Sequence, residues 1–364
     1  MALLEFKGIT KTYRGKRALN GVDLEIANDT LTVICGPPQS GKSVLLRLLV
    51  GLEAPDGGEI TLDGEPLTAT AAGARPIGYV PQSFALFPHL TVRTNIAYPL
   101  RLAKVGHDEV ERRLGQVAEL LNIGHLLDHT PDQLSGGEKQ RTAVARGLMK
   151  DATLFVLDDP LVGLDFKLRE RLMEDLREMR RTLGIAFVYV TGDPVEALTM
   201  ADDLVVLDAG RVVEHSDVLS LYHEPYNLRT AELIGFPACN LLAAEPARGQ
   251  CHTALFAFEV DGTDSGALPA RMSVALRPED VRLGERDGTL RATGTVRLVE
   301  NLGAECVVYL AVDDVDLTTT VRVDEGRVPT EGDRIDFTVD PDSLIAFDAD
   351  SGRRIGRGRR AAHA

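Results

Sequence analysis

A glycine-rich segment near the start of the chain has the residue types and spacing needed to bind phosphate groups. Residues 36–43 are Gly-Pro-Pro-Gln-Ser-Gly-Lys-Ser, which fits the pattern G-x-x-x-x-G-K-[ST]. A buried strand is predicted over 31–35 and a helix over 43–50, which is the strand–loop–helix order that such a loop requires. Lys42 would reach the β- and γ-phosphates and the Ser43 hydroxyl would hold Mg²⁺. This context favours a nucleotide site over a chance glycine-rich turn.

Two adjacent carboxylates follow a second buried strand. Residues 154–157 are Leu-Phe-Val-Leu, and Asp158 and Asp159 come directly after them. An aspartate at the end of an apolar strand fits the Walker-B pattern, so we expect Asp158 to act on Mg²⁺, directly or through water. The two motifs together predict a site for a Mg²⁺–nucleotide complex.

The elements around these motifs predict an α/β domain over residues 1–235. Helices are expected over 107–127, 135–149 and 167–183, with a helical subdomain at about 84–150. Strand 185–190 leads to Asp193-Pro194, an N-cap followed by proline at the first helical position. Short strands at 3–6 and 22–26 precede the phosphate loop, and a hairpin at 203–214 follows the last helix.

The composition changes after about residue 236, and a smaller β-rich domain is predicted over 236–350. Short β stretches alternate there with Gly/Asp turns, which is typical of a small barrel such as an OB-fold. The final residues, 351–364, form a basic tail that we expect to be disordered. The predicted β stretches are 272–276, 292–299, 305–312, 316–323, 335–339 and 343–347.

Composition argues against several classes of protein. The 364-residue chain has a formal net charge of −15, which disfavours nucleic acid as a partner. No apolar run approaches the roughly 20 residues that a membrane-spanning helix needs, and the first residues do not form a signal peptide. The four cysteines form no C-x-x-C pair, so neither a zinc site nor a disulfide framework is implied. Any role at a membrane would therefore require docking onto other subunits.

A third motif links this chain to a known family. Residues 134–141 are Leu-Ser-Gly-Gly-Glu-Lys-Gln-Arg, and with the phosphate loop and Asp158 they resemble the ATP-binding subunit of an ABC transporter. In that family this signature segment contacts the γ-phosphate of ATP bound to the opposite subunit. The resemblance implies that Ser135, Gly136, Gly137 and Glu138 act in trans.

The resemblance also implies roles for residues outside these motifs. Tyr13 occupies the place of the aromatic residue that stacks on adenine, and Gln82 that of a glutamine contacting Mg²⁺ or the attacking water. Asp165 matches an acid that communicates between the two sites of a dimer. The implied metal-contacting residues are Ser43, Gln82 and Asp158. The implied ATP-contacting residues are Tyr13, Gly36, Pro37, Pro38, Gln39, Ser40, Gly41, Lys42, Ser43, Val44 and Asp158.

Three positions depart from the family pattern. The residue after Asp158 is usually glutamate, the water-activating base, and here it is the shorter Asp159. A histidine is expected after the next strand, and here it is Gly192. Gln39 stands where glycine is common. We therefore expect ATP to bind while hydrolysis at this chain's own site, with Asp159 and Gln82 as its catalytic residues, is weakened.

The C-terminal region resembles the regulatory domain of maltose-type carbohydrate importers. The segments that carry this likeness are 231–242, 275–280 and 299–303. The resemblance implies an importer subunit on the cytoplasmic face of the inner membrane, for a sugar, polyol or glycerophospho-compound. Its expected partners are two transmembrane permease subunits and, indirectly, an extracytoplasmic solute-binding protein. The apolar segment 84–88 is expected to dock on a permease.

The intact signature beside an altered hydrolytic site favours a heterodimer with a second ATPase subunit. A homodimer that hydrolyses ATP slowly through Asp159 is an alternative, as is a regulatory subunit that binds nucleotide without turnover. Neighbouring genes would separate these options, because only the heterodimer needs a second ATPase gene beside the permease genes.

Overall fold

The computed structural model describes residues 2–164, 166–247, 249–261, 268–284, 290–324 and 328–359. The chain folds into two units, one ending at Val218 and the other beginning at Leu219. Within the described ranges, no helix is both long enough and apolar enough to span a membrane.

The first unit contains two β-sheets. One is antiparallel, with the strand order β2-β1-β4-β5, and the other has the order β10-β9-β3-β8-β7-β6. In the second sheet all neighbouring strands run parallel except β10, which pairs antiparallel with β9 at the edge. The strands are β1 (Ala2–Tyr13), β2 (Lys16–Ala27), β3 (Leu31–Cys35), β4 (Gly57–Leu62), β5 (Glu65–Pro66), β6 (Ile77–Val80), β7 (Leu154–Asp158), β8 (Ala186–Thr191), β9 (Asp203–Asp208) and β10 (Arg211–Asp217).

The helices of the first unit cover the parallel sheet and build its core. Strands β3, β7 and β8 are buried along their whole length, as expected for central strands covered on both faces. The helices are α1 (Lys42–Leu49), α2 (Val92–Leu102), α3 (His107–Leu120), α4 (Gly136–Leu148), α5 (Phe166–Leu183) and α6 (Pro194–Met200). Helix α1 buries four leucines in a core shared with both sheets, whereas α2, α3 and α4 pack on one another in the segment predicted as a helical subdomain.

The second unit begins with two short helices and continues as β structure. Strands β11-β12-β13-β21-β20-β14 form a closed barrel, and β15-β19-β16-β17-β18 form an antiparallel sheet. One apolar core takes side chains from both. The elements are α7 (Val218–His223), α8 (Leu228–Leu233), β11 (Asn240–Ala247), β12 (Gln250–Thr253), β13 (Ala257–Val260), β14 (Met272–Leu276), β15 (Val281–Leu283), β16 (Leu290–Asn301), β17 (Glu305–Val312), β18 (Val315–Arg322), β19 (Arg334–Val339), β20 (Ile345–Asp348) and β21 (Arg354–Arg359).

The end of the chain differs from the sequence prediction. Arg354–Arg359 forms strand β21, which pairs with β20 and β13, so the prediction of disorder is wrong for this segment. Glycines alternate with arginines there, and a Cβ on Gly356 would lie 1.9 Å from the Asp261 carbonyl oxygen. The missing side chains therefore allow close pairing inside the barrel, while Arg359 pairs with Glu259 at 3.0 Å. Residues 360–364 of the predicted tail lie outside the described ranges.

The boundary between the units also falls earlier than the sequence suggests. Helix α8 and most of α7 group with the β unit, whereas the predicted boundary lies after residue 235. Arg277, which is buried at the end of β14, donates hydrogen bonds to the carbonyls of Ala231 and Ile234 at the end of α8. Its guanidinium also lies 4.1 Å from the centre of the Tyr222 ring in α7. These interactions attach both helices to the β unit.

Candidate nucleotide-binding site

The phosphate loop joins the buried end of β3 to the first turn of α1. Gly36 approaches β9 so closely that a Cβ on it would lie 2.0 Å from the Leu207 carbonyl oxygen. Gly41 is the N-cap of α1 and has a φ of 109°, which L side chains rarely adopt. The backbone therefore requires both glycines. The loop that they shape exposes Ser43 in the first turn of α1, where a helix favours an anion.

The Lys42 side chain contacts the backbone of the phosphate loop. Its Nζ donates hydrogen bonds to the carbonyl oxygens of Gly36 at 2.6 Å and Pro37 at 3.0 Å. Burial lowers the pKa of Lys42, and the charges of Asp159 and Asp158 act in the opposite direction. An incoming phosphate group would compete with the two carbonyls for the same N–H donors.

A cavity of about 310 Å³ connects the phosphate loop with the β1–β2 hairpin. Tyr13 lines this cavity at the end of β1 and is 37% exposed, and Lys16 and Arg17 line it at the start of β2. Small-molecule sites have volumes of roughly 300–1,000 Å³. The structure thus brings the predicted aromatic residue and the phosphate loop into one cavity. The other residues lining it are Ala18, Gln39, Ser40, Gly41, Lys42, Ser43 and Val44.

Gln39 has an unusual backbone conformation within this loop. Its φ is 66°, in the left-handed region where a residue with a Cβ is strained and glycine is not. The loop therefore keeps a conformation suited to glycine although the side chain is present. From the sequence, a side chain at this position is expected to restrict the backbone conformations of the loop. In the structure, the resulting strain lies in the left-handed φ of Gln39.

Asp158 is buried at the end of β7, next to a residue that the sequence did not indicate. The Tyr79 hydroxyl, from the neighbouring parallel strand β6, lies 3.4 Å from Asp158 Oδ2. Burial, and then the adjacent charge of Asp159, raise the pKa of Asp158. Burial also raises the pKa of Tyr79 to about 12, so the phenol stays protonated as a donor. Only the pairing of β6 with β7 brings the two side chains together.

Asp159 follows β7 in a left-handed conformation. Its φ is 49°, and its backbone N–H donates to the Val190 carbonyl of β8 at 2.8 Å. Burial raises the pKa of Asp159, while Lys42, the Thr191 hydroxyl and the Gly192 N–H act against that rise. Aspartate is among the few residues other than glycine that adopt this region readily, so the local backbone suits the residue present.

Gly192 differs from the glycines of the phosphate loop. Its φ is not positive, and a Cβ there would have only the Gly36 carbonyl oxygen within 4 Å, at 3.8 Å. Neither conformation nor packing therefore requires glycine. The position faces the phosphate loop with room for a side chain that this chain lacks.

The signature segment forms the start of α4. Ser135 is the N-cap, and a capping box joins it to Glu138: both the Ser135 N–H and its hydroxyl lie 2.8 Å from Glu138 Oε2. A Cβ on Gly137 would lie 2.3 Å from a methyl carbon of Leu168, whereas one on Gly136 would come no closer than 3.6 Å to Leu164. A side chain at 137 would therefore displace the Leu168 side chain, whereas one at 136 would find room.

The remaining predicted residues are placed differently. Gln82 is exposed in the turn after β6, and Asp165 lies outside the described residues. Across the described ranges, no three His, Cys, Asp or Glu side chains converge to hold a metal ion. Any Mg²⁺ at this site would therefore depend on hydroxyl, amide and phosphate oxygens as well as on Asp158.

A second, apolar groove lies beside the segment 84–88. Its volume is about 970 Å³, and Phe87 and Tyr98 line it with their rings 4.7 Å apart. Arg146 of α4 donates hydrogen bonds to the carbonyls of Ala85 at 2.6 Å and Phe84 at 2.7 Å. Both of these residues have positive φ. The helix that begins at the signature therefore holds the strained segment beside the groove, a link that the sequence pattern did not indicate.

Comparisons with known proteins agree with this geometry. The ABC transporter family matches residues 19–162, and the TOBE domain family matches 274–347. The sn-glycerol-3-phosphate import ATP-binding protein UgpC of Cereibacter sphaeroides is 39% identical, with 98% of this chain and 100% of the relative covered. The maltose/maltodextrin import ATP-binding protein MalK of Vibrio vulnificus is 37% identical, with 96% of each covered.

Solved structures give the same result for the first part of the chain. A dimeric ATP-binding cassette bound to ADP and Pi, in a post-hydrolysis state, aligns with a TM-score of 0.54 at 29% identity and covers 59% of this chain and 98% of that one. The predicted fold class, an ABC-type α/β domain followed by an OB-like β domain, is confirmed. The chain therefore belongs to the carbohydrate-importer (maltose-type) family of ABC transporter ATP-binding subunits, and it is an ABC-type ATPase.

Proposed function

We propose that this chain powers import of a small polar solute while its own hydrolytic site is weakened. The observation that carries the proposal is the contrast within one site. The phosphate loop has the glycines that its backbone requires, whereas Asp159 and Gly192 stand where the family has a longer carboxylate and a histidine. ATP binding and ATP turnover thus depend on different residues. Both positions expected to act in turnover are altered, whereas the phosphate loop departs only at Gln39 and keeps Gly36, Gly41, Lys42 and Ser43.

Mg²⁺ fits the types of ligand that the residues expected to contact it would offer. Asp158, Ser43 and Gln82 offer carboxylate, hydroxyl and amide oxygens, which are the ligand types that Mg²⁺ prefers. These three residues would hold the ion, whose positive charge would offset the negative charge of the terminal phosphates. Tyr79 orients the Asp158 carboxylate from the side of β6.

The weakened turnover follows from the reach of two side chains. Asp159 is one methylene shorter than glutamate, and a shift of about 1 Å in a catalytic group can cost on the order of 100-fold in rate. Gly192 offers no imidazole to contact the γ-phosphate or support the attacking water. A Cβ at 192 would make only an ordinary contact, 3.8 Å from the Gly36 carbonyl oxygen, so the backbone there would accept such a side chain.

The signature of this chain completes the ATP site of a partner subunit in a head-to-tail dimer. The exposed capping box at Ser135 and the free space at Gly136 support this role. The solved cassette with ADP and Pi is dimeric. The sequence favours a heterodimer with a second ATPase, but the names of the full-length relatives lend that choice no support, and the homodimer stays open to the test given in the Discussion.

The apolar groove is the docking site for a transmembrane permease subunit. Leu52 and Leu102, which line the groove, leave large apolar side chains exposed, and large exposed apolar surfaces mark sites of interaction with partners. Two permeases, one for each ATPase domain of the dimer, would hold this chain at the cytoplasmic face of the membrane. A solute-binding protein on the other side would contact the permeases and not this chain.

The solute class follows from the relatives, whose names specify sn-glycerol-3-phosphate and maltose or maltodextrin. Uptake of labelled glycerol-3-phosphate and labelled maltose should be measured in cells that lack this chain and in cells that regain it. Restoration of either uptake by the wild type but not by Lys42→Ala is the expected result. Uptake of both solutes that is independent of the chain would contradict an import role for these solute classes.

A further inference from the structure

Tyr13, the aromatic residue of the nucleotide cavity, is tied to a side chain outside that cavity. Its hydroxyl donates a hydrogen bond to Glu53 Oε2, and the other carboxylate oxygen of Glu53 accepts from Arg47 Nε at 2.7 Å. Arg47 lies in the last turn of α1, and Glu53 lies just beyond that helix. Glu53 therefore holds the Tyr13 hydroxyl directly, and Arg47 holds Glu53.

The segment that follows α1, residues 53–56, also forms hydrogen bonds with β1, the strand that carries Tyr13. Asp56 Oδ2 accepts from the Thr12 N–H at 2.7 Å, and the Asp56 N–H donates to the Thr10 carbonyl at 2.9 Å. Lys11 donates to the Ala54 carbonyl at 2.6 Å, and its Nζ lies 5.6 Å from the centre of the Tyr13 ring. Residues 53–56 thus fix both the backbone and the side chain at the end of β1.

Helix α1 connects residues 53–56 to the phosphate loop. Lys42 and Ser43 lie in its first turn and line the cavity, while Arg47 in its last turn holds Glu53. A helix of eight residues is a rigid spacer of about 12 Å. The distance between the Tyr13 ring and the phosphate-binding groups is therefore set through α1 and Glu53, and not by the β1–β2 hairpin alone.

We propose that Glu53 is a positioning residue that holds the Tyr13 ring as the platform for the nucleotide base, so that recognition of the base depends on it and recognition of the phosphates does not. This rests on the proposed nucleotide site. A lone tyrosine ring that is 37% exposed would otherwise sample several rotamers. The charge states suit the contact: burial raises the pKa of Tyr13, and the bond from Tyr13 lowers the pKa of Glu53.

The test compares ligands with and without a base. Calorimetry on the full chain with Mg²⁺-ATP and with inorganic tripolyphosphate should be run for wild type, Tyr13→Ala, Tyr13→Phe, Glu53→Ala and Glu53→Gln. Loss of base stacking weakens binding by about 5- to 150-fold, so Tyr13→Ala should lose ATP affinity in that range. Glu53→Ala should lose about tenfold, Glu53→Gln should stay near wild type because its amide oxygen still accepts, and tripolyphosphate affinity should not change.

A double variant isolates the hydroxyl contact. If Glu53 acts through the Tyr13 hydroxyl, Glu53→Ala should cause no further loss of ATP affinity in a Tyr13→Phe background. Glu65→Ala, at an exposed glutamate of β5, is the matched control and should bind both ligands like wild type. Should Glu53→Ala fail to fold, Tyr13→Phe alone still tests the contact, because it keeps the ring and removes its tether.

The possible failures are distinguishable. Unchanged ATP affinity in Tyr13→Ala would remove the base platform and with it this part of the proposed function. A loss in Tyr13→Ala with none in Glu53→Ala or Tyr13→Phe would overturn the positioning role alone. An equal loss of tripolyphosphate affinity in Glu53→Ala would show that Glu53 supports the phosphate loop as a whole, which also overturns the inference.

Discussion

The two sides of the nucleotide site differ in how tightly their residues are constrained by their surroundings. On the phosphate-loop side, Gly36 and Gly41 are required by a 2.0 Å approach and by a φ of 109°. On the opposite side, Gly192 has neither constraint, and Asp159 adopts a left-handed conformation that suits aspartate. The glycines at 36 and 41 are therefore required by the fold itself. Position 192 could take a side chain without disturbing the fold, whereas position 159 favours a residue that tolerates a left-handed backbone.

The largest expected effect concerns the phosphate-loop side of the nucleotide site. Lys42→Ala removes the cation that is expected to contact the β- and γ-phosphates. A hydrogen bond to a charged group contributes about 1.5–3 kcal/mol, so ATP affinity should fall about 10- to 150-fold. Calorimetry on the full chain measures this. Lys7→Ala, an exposed lysine of β1, is the control and should bind as wild type does. Equal affinities in wild type and Lys42→Ala would mean that ATP binds elsewhere.

A second prediction separates this chain's signature from its own hydrolytic residues. In a heterodimer, Ser135→Ala should slow the assembled transporter more than Asp159→Asn, because the signature serves the partner's intact site. Loss of the Ser135 N-cap costs about 1 kcal/mol of stability, so circular dichroism must first show a folded protein. Gly137 is a poorer target, since its Cβ would meet Leu168.

The ATPase rates of reconstituted complexes, each carrying one change in this subunit only, decide between the two dimers. A homodimer would lose at least as much rate with Asp159→Asn as with Ser135→Ala. An inactive Asp159→Asn complex beside an active Ser135→Ala complex would rule out the asymmetric assembly.

The decline of the ATPase rate at low pH should reflect protonation of the buried carboxylate of Asp159. Because burial raises the pKa of Asp159, this group takes up a proton at a higher pH than an ordinary aspartate, whose pKa is about 3.9. As pH falls, the base form is lost early, so the ATPase rate at saturating Mg²⁺-ATP should decline. The pKa of Asp158 is raised as well, so ATP affinity should also fall toward acid pH. The rate and the ATP affinity should be measured over the same pH range. An identical acid limb in the residual rate of Asp159→Asn would assign the decline to another group.

The smallest effect concerns strain in the loop. Gln39 has a φ of 66°, so Gln39→Gly relieves a left-handed residue at the cost of a more flexible unfolded chain, and the net gain should be about 0.5 kcal/mol. Thermal unfolding should shift upward by about 1–2 °C. Gln39→Ala keeps the Cβ and should not stabilise. A gain as large in Gln39→Ala would show that the side chain, and not its conformation, is responsible.

The sequence predicts most of the nucleotide site because its motifs are contiguous. The phosphate loop, the carboxylates after β7 and the capped start of α4 each lie within a few residues, and the structure places them as elements of the expected types. Tyr79, Arg146 and Glu53 are not predicted, because their contacts depend on strand pairing and on segments distant in the chain.

The β unit shows the same limit of local patterns. Strand β17 has the predicted bounds, since its apolar residues and turns are local signals. Strand β21 is not predicted, because alternating glycine and arginine is typical of a disordered tail unless a barrel supplies its neighbours. Pairing with strands that are distant in the sequence determines whether such a segment forms a strand.

Turnover of the double variant Asp159→Glu with Gly192→His tests the central claim most directly. Both changes are needed, because the base and the γ-phosphate contact act as a unit. The glutamate at 159 must adopt the left-handed φ of 49° that Asp159 has. At saturating Mg²⁺-ATP the full chain should hydrolyse ATP about 100-fold faster than wild type, with unchanged ATP affinity. A wild-type rate that already equals that of the double variant, and that Asp159→Asn abolishes, would contradict the claim that this chain binds ATP well and turns it over poorly.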